Sequence, residues 1–146
     1  LPMSSIDLPM PALRTIDFSA VVLALKEAVP SLSAVYAFGS QVSGEAGPES
    51  DLDVALMSDE SLVADALWGL SSRLAGIVGC HVDLLDLRSA STVMQYRIVT
   101  TGQRLWARDE QAALYETFIL SQKTALDEAR AGLLDDIQKT GTVYGR

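Results

Sequence analysis

The chain is poor in the residues that staple or decorate other small proteins. It has one cysteine and one histidine in 146 residues. A single thiol, Cys80, cannot close an internal disulfide, which fits a reducing compartment and a cytoplasmic protein. One Cys and one His cannot build a His/Cys zinc site. Basic residues are scarce, with 11 Lys and Arg against 19 Asp and Glu and a formal net charge of −8. Such a surface is a solvated acidic face and does not suit direct binding of nucleic acid through its phosphates. No apolar run approaches the roughly 18 residues of a membrane span, so no membrane role is expected. Three of the five prolines fall within Leu1 to Pro11, which reads as a loose arm and not as a signal peptide.

Hydrophobic residues make up 49% of the chain, enough for the core of one domain. Asp17 can cap a helix that Pro30 stops near Val29, with Phe18, Val21, Val22, Leu25 and Val29 at helical spacing. Strands are expected at Ser33 to Phe38, Asp51 to Met57, His81 to Leu87 and Gln103 to Ala107. A short helix can cover Ser40 to Glu45, with a turn at Ala46-Gly47-Pro48. A longer helix should start from a Ser58 or Asp59 cap and end at Gly79, with Leu62, Val63, Ala66, Leu67, Leu70, Leu74 and Ile77 as its stripe. Another opens at Ser89 or Ser91 and ends near Gly102. The last spans Asp109 to Lys139, with Leu114, Phe118, Ala125, Ala129, Leu133 and Ile137 aligned. That final stripe packs on the domain's own core or serves a partner. The order of elements implies a small α/β domain with a mixed sheet and helices mainly on one face.

The informative stretch is residues 39 to 53. Gly39-Ser40 follows the apolar run Ala34 to Phe38, and Asp51-Leu52-Asp53 follows a ten-residue spacer. Asp51 and Asp53 alternate along a strand and so share a face, where two carboxylates suit a hard divalent cation such as Mg²⁺. Gly39 lets backbone amides approach a phosphate closely. Farther on, Asp83 and Asp86 lie three residues apart, so on a strand they face opposite sides and only one can join that site. His81 beside Cys80 reads as a strand-edge or packed residue. Arg88 suits a surface ion pair before phosphate binding. Trp68 and Trp106 read as core or interface aromatics.

Gly-Ser, about ten residues, then Asp-x-Asp with Ser50 ahead of the first Asp resembles the minimal nucleotidyltransferases (MNT) of the DNA polymerase β superfamily. The segment Val82 to Ser91 is similar to that family's later strand. The length and the stretch from Val82 to Trp106 look most like the antitoxins of HEPN/MNT toxin–antitoxin pairs, and the family resemblance covers about residues 18 to 107. The resemblance implies a polymerase β-like nucleotidyltransferase fold plus a long C-terminal helix. It implies a domain at residues 17–107, after an N-terminal arm at 1–16 and before a C-terminal helix and tail at 108–146. It implies ATP as substrate, two Mg²⁺ ions on Asp51, Asp53 and Asp83, and Gly39, Ser40 and Ser50 at the nucleotide. The family pattern favours Asp83 over Asp86 as the third carboxylate and leaves Asp86 to cap the turn before Arg88. The family's usual basic residue near Gly-Ser is missing, since Gln41, Val42 and Ser43 stand there. Too little chain follows Ala107 for a helical acceptor domain. That favours an acceptor on another chain, and the resemblance implies that it is a tyrosine of a HEPN toxin, an RNase. The implied activity is protein adenylyltransfer. The alternatives are an antitoxin that blocks its partner by binding alone, and a dimeric small-molecule (antibiotic) nucleotidyltransferase.

Overall fold

A computed structural model describes residues 16–43 and 51–140. The expected arm to residue 15, the turn at 46–48, Ser50 and the tail at 141–146 lie outside the described residues. Among the described residues five α-helices and four strands alternate: α1 Phe18–Ala28, β1 Leu32–Phe38, α2 Ser40–Ser43, β2 Leu52–Ser58, α3 Ala64–Val78, β3 Val82–Asp86, α4 Thr92–Thr101, β4 Gln103–Ala107 and α5 Gln111–Thr140. A 3₁₀ turn, Leu87–Ser89, joins β3 to α4. The sheet order is β3-β2-β1-β4, with β1 antiparallel to β2 and β4, and β2 parallel to β3.

Caps and breakers account for most boundaries. The Asp17 carboxylate accepts the Ala20 N–H at 3.1 Å and starts α1. Gly79 closes α3 at φ +80°, a left-handed position that suits glycine. Ser91, not Ser89, caps α4 by accepting the Met94 N–H at 3.1 Å. The start of α3 departs from expectation. It begins at Ala64 with no side-chain cap. Ser58 and Asp59 are engaged elsewhere, because the Ser58 hydroxyl donates to the Glu60 carbonyl and the Asp59 carboxylate receives both terminal nitrogens of Arg108. The stripe of α3 is also rotated from the expected one. Leu74 is buried and Leu67, Leu70, Ala75 and Val78 pack beside it, whereas Val63 and Ile77 are exposed.

Helices cover both faces of the sheet, which corrects the expectation that they lie mainly on one. Leu32 and Val35 of β1 join Leu52, Val54 and Leu56 of β2 under α1 and α3. Ala34, Tyr36 and Phe38 join Ala55 and Met57 beneath Ile98 of α4 and Ala112 and Ile119 of α5. The physical reason is that every residue of β1 is buried. A strand buried on alternate faces needs a layer on each side.

The long helix packs on its own core, but not through its expected stripe. Ala112 and Ile119 are fully buried, and Tyr115, Glu116, Lys123 and Leu126 are half-buried at the same helical spacing. Tyr36, buried in β1, donates its hydroxyl to Glu116 Oε2 at 2.6 Å, and Arg104 Nη1 of β4 donates to the same oxygen at 2.9 Å. Leu114, Phe118 and Leu133 instead face solvent with Leu134. The side chain of Ile137 lies outside the described residues.

Gly102 sits where the backbone packs closely at the entry to β4. A Cβ there would meet the Ile98 carbonyl oxygen at 2.5 Å and that of Ala37 at 2.8 Å. We expect Gly102→Ala to lower stability by about 1–3 kcal/mol, measured by urea denaturation.

Candidate active site

Three strands meet at one end of the sheet. β1 runs to that end, and β2 and β3 start there. Phe38 lies opposite Asp53 in the β1–β2 ladder, and Asp53 lies opposite Asp83 in the β2–β3 ladder. Gly39 therefore sits against Asp53. Its φ is +82°, and a Cβ on it would lie 2.2 Å from Asp53 Oδ2. Glycine is required here twice, for the backbone conformation and for the space. Its carbonyl accepts the Val42 N–H at 3.1 Å, which opens α2 with half-buried Ser40 at its first position.

The structure brings Asp51, Asp53 and Asp83 together. Burial pushes the Asp53 carboxyl above the usual range, and the Asp83 and Asp51 charges push in the same direction. The Arg97 guanidinium on α4 opposes them. Like charges held this close cost stability unless a cation joins them. Among the described residues, Asp51, His81 and Asp83 form a group able to hold a metal ion, with one donor atom from each within 4.8 Å of the others. His81 Nδ1 stands 3.5 Å from Asp51 Oδ2 and 3.7 Å from Asp83 Oδ1.

Asp86 does not take part. It is buried at the far end of β3, where its carboxylate accepts the Arg88 N–H at 3.1 Å and the Ser89 hydroxyl at 3.4 Å. That is the turn-capping role. Ser50 lies outside the described residues.

The Arg88 reading needs correction, and those of Trp68 and His81 are narrowed. Arg88 forms no surface ion pair among the described residues. It donates to the Ser58 carbonyl at 3.0 Å and lies 5.9 Å from the centre of the Tyr115 ring. Trp68 is no core residue, being 75% exposed beside a groove of about 440 Å³ that reaches His81 and Asp83. His81 sits at the strand edge as expected, but it is exposed and belongs to the acid cluster. Arg97 was not singled out in the sequence at all. Helical spacing alone carries no sign that its charge reaches Asp53, because the approach of α4 to β2 is set by packing.

Strand-borne carboxylates beside a glycine turn, at one end of a mixed sheet, define a nucleotidyltransferase-type site. Residues 22–111 match the polymerase beta nucleotidyltransferase family. The chain belongs to that family. It is 32% identical over 125 residues to the protein adenylyltransferase MntA of Shewanella oneidensis, covering 86% of this chain and 90% of that protein. It is also similar to the crystal structure of a toxin–antitoxin with AMP-PNP, at a TM-score of 0.76 and 32% identity, over 84% of this chain and 99% of that one. A third similarity is to the tri-AMPylated HEPN toxin of Shewanella oneidensis in complex with MNT antitoxin. There the TM-score is 0.68 and the identity 32%, over 82% of this chain and 94% of that one.

Two substitutions probe this geometry. The raised Asp53 pKa means that the fold prefers the protonated form, so the ionised form weakens the fold at neutral pH. Without divalent ions, Asp53→Asn should therefore melt a few degrees higher than the native chain, because it removes a half-exposed charge worth up to about 1 kcal/mol. Mg²⁺ should raise the native melting temperature and leave that of Asp53→Asn little changed. Gly39→Ala should lose activity and about 1–2 kcal/mol of stability, since its methyl group displaces Asp53. Activity assay and thermal denaturation check both outcomes.

Proposed function

We propose that this protein is the antitoxin of a toxin–antitoxin pair and acts as a protein adenylyltransferase. It transfers AMP from ATP to a tyrosine of a HEPN-type partner. The observation that carries this is the grouping of Asp51 and Asp83 beside Asp53, which lies against Gly39, in a chain 32% identical to a protein adenylyltransferase over 86% of its length. Structures similar to this chain include a toxin–antitoxin with AMP-PNP and a tri-AMPylated HEPN toxin bound to its antitoxin.

Asp51, Asp53 and Asp83 would hold two Mg²⁺ ions, whose chemistry is to neutralise charge on the α-phosphate and on the departing pyrophosphate. The carboxylate set fits, because closely spaced acids on two adjacent strands are costly until a cation offsets them. Backbone amides at Gly39 and Ser40, with the Ser40 hydroxyl, hold the phosphates. Ser50 belongs to the same nucleotide-binding segment. The tyrosine oxygen attacks the α-phosphorus, the bond to the pyrophosphate oxygen breaks, and Asp83 takes the hydroxyl proton. Each AMP adds bulk and negative charge to the partner, which repels an RNA phosphate.

The domain of residues 17–107 supplies the chemistry. Residues 108–146 supply the partner surface, through the exposed Leu114, Phe118, Leu133 and Leu134 face of α5. A free, half-buried Cys80 suits cytoplasmic conditions. Among the described residues, no helix is long and apolar enough to cross a membrane.

The test is an intact mass spectrum of the HEPN-type partner after incubation with this protein and Mg-ATP. We expect mass added in AMP-sized steps, absent with Asp51→Asn/Asp53→Asn. A stable complex with unchanged partner mass would establish neutralisation by binding alone.

A further inference from the structure

The site contains a nitrogen donor that the three-carboxylate chemistry does not use. His81 is the single histidine of the chain. It precedes β3 and is held there by its carbonyl, which accepts the Leu52 N–H at 2.9 Å. Leu52 pairs with Val82 and Asp53 with Asp83, so one step back along the parallel ladder sets His81 level with Asp51. His81 and Asp83 are two residues apart on the same segment and share a face. The juxtaposition is therefore imposed by register and does not depend on chance side-chain reach.

The separations of 3.5 and 3.7 Å are long for hydrogen bonds and suit donors arranged around an ion. One donor atom from each of the three side chains lies within 4.8 Å of the others, close enough for a single divalent ion to reach all three. The three side chains are 63%, 52% and 59% exposed, so water can complete the coordination. Imidazole suits a transition ion better than it suits Mg²⁺, which prefers oxygen donors.

We propose that His81 Nδ1 is a direct metal ligand and that, with Asp51 and Asp83, it makes this position selective for a transition ion such as Mn²⁺ over Mg²⁺. The inference shares with the proposed function the view that the acid cluster seats a cation. It does not depend on AMP transfer. A surface ion pair between His81 and the two aspartates is the competing role, and it would give no metal selectivity.

The experiment uses the full chain and Mn²⁺ alone. Pulsed EPR of the Mn²⁺-loaded protein reports any directly bound ¹⁴N, and calorimetry gives the Mn²⁺ and Mg²⁺ affinities. We expect a ¹⁴N coupling in the native protein that vanishes in His81→Gln. Mn²⁺ affinity should fall about tenfold or more in that variant, with Mg²⁺ affinity changed much less. Absence of nitrogen coupling, absence of Mn²⁺ binding, or equal loss of both affinities would overturn the proposal. Circular dichroism checks that the exposed substitution leaves the fold intact. Asp51→Asn should abolish Mn²⁺ binding, which locates the ion. A nitrogen-coupled Mn²⁺ in a protein that transfers no AMP would retain this inference and remove the proposed function. Transfer without nitrogen coupling would do the reverse.

Discussion

The register of β2 against its neighbours is the constraint on which the site depends. Asp53 is opposite Phe38 on one side and Asp83 on the other. A slip of one residue would turn every side chain of β2 to the other face. It would place Leu52 at the site and drive Asp53 into the core under α1 and α3. Two separate apolar sets prevent this. Leu52, Val54 and Leu56 are buried on one face, and Ala55 and Met57 on the other. Exchanging the two sets would put large side chains where Ala55 fits and leave gaps where Val54 and Leu56 packed, at about 1–3 kcal/mol for each misfit. The core thus sets the positions of the carboxylates through the strand register.

Strand direction then decides which loops meet. Because β1 is antiparallel to β2 and β2 is parallel to β3, the end of the first strand lies beside the starts of the other two. Gly39, Asp51, His81 and Asp83 come from points up to 44 residues apart in the chain and converge through that arrangement alone. The convergence has an electrostatic cost, visible in the raised Asp53 carboxyl, and Arg97 offsets only part of it. Such a cost is expected where a fold is shaped to receive a cation.

The C-terminal helix shows how one element serves two purposes. Its first half is tied down by Tyr36 and Arg104, which share Glu116, and by Lys123 lying 4.7 Å from the centre of the Tyr96 ring. Burial and the Glu116 hydrogen bond both hold the Tyr36 hydroxyl in its neutral form. Beyond Leu126 the described side chains of the helix are exposed. Apolar side chains left in water on an anchored helix are a rigid surface ready to be covered, and a partner meets little ordering cost there.

Much of this was legible from the chain itself. Alternation and turn residues located all four strands to within a residue or two, because apolar alternation, glycine and proline act locally. The Gly-Ser and Asp-x-Asp spacing picked out Asp51 and Asp53, and the period of two showed that only one of Asp83 and Asp86 could join them. The two-sided sheet, the solvent-facing stripe of α5 and the roles of His81 and Arg97 were not legible in this way. Each depends on which surfaces meet, and hydrophobic spacing names a face without naming what covers it. The sequence by itself determined the elements, their order and the carboxylates able to bind a cation, since these follow from neighbours in the chain. Only the tertiary structure decided that Asp83 and His81 stand beside Asp51 while Asp86 turns away. That outcome comes from the parallel pairing of β2 and β3, a contact between strands some thirty residues apart whose register is set by packing on both faces.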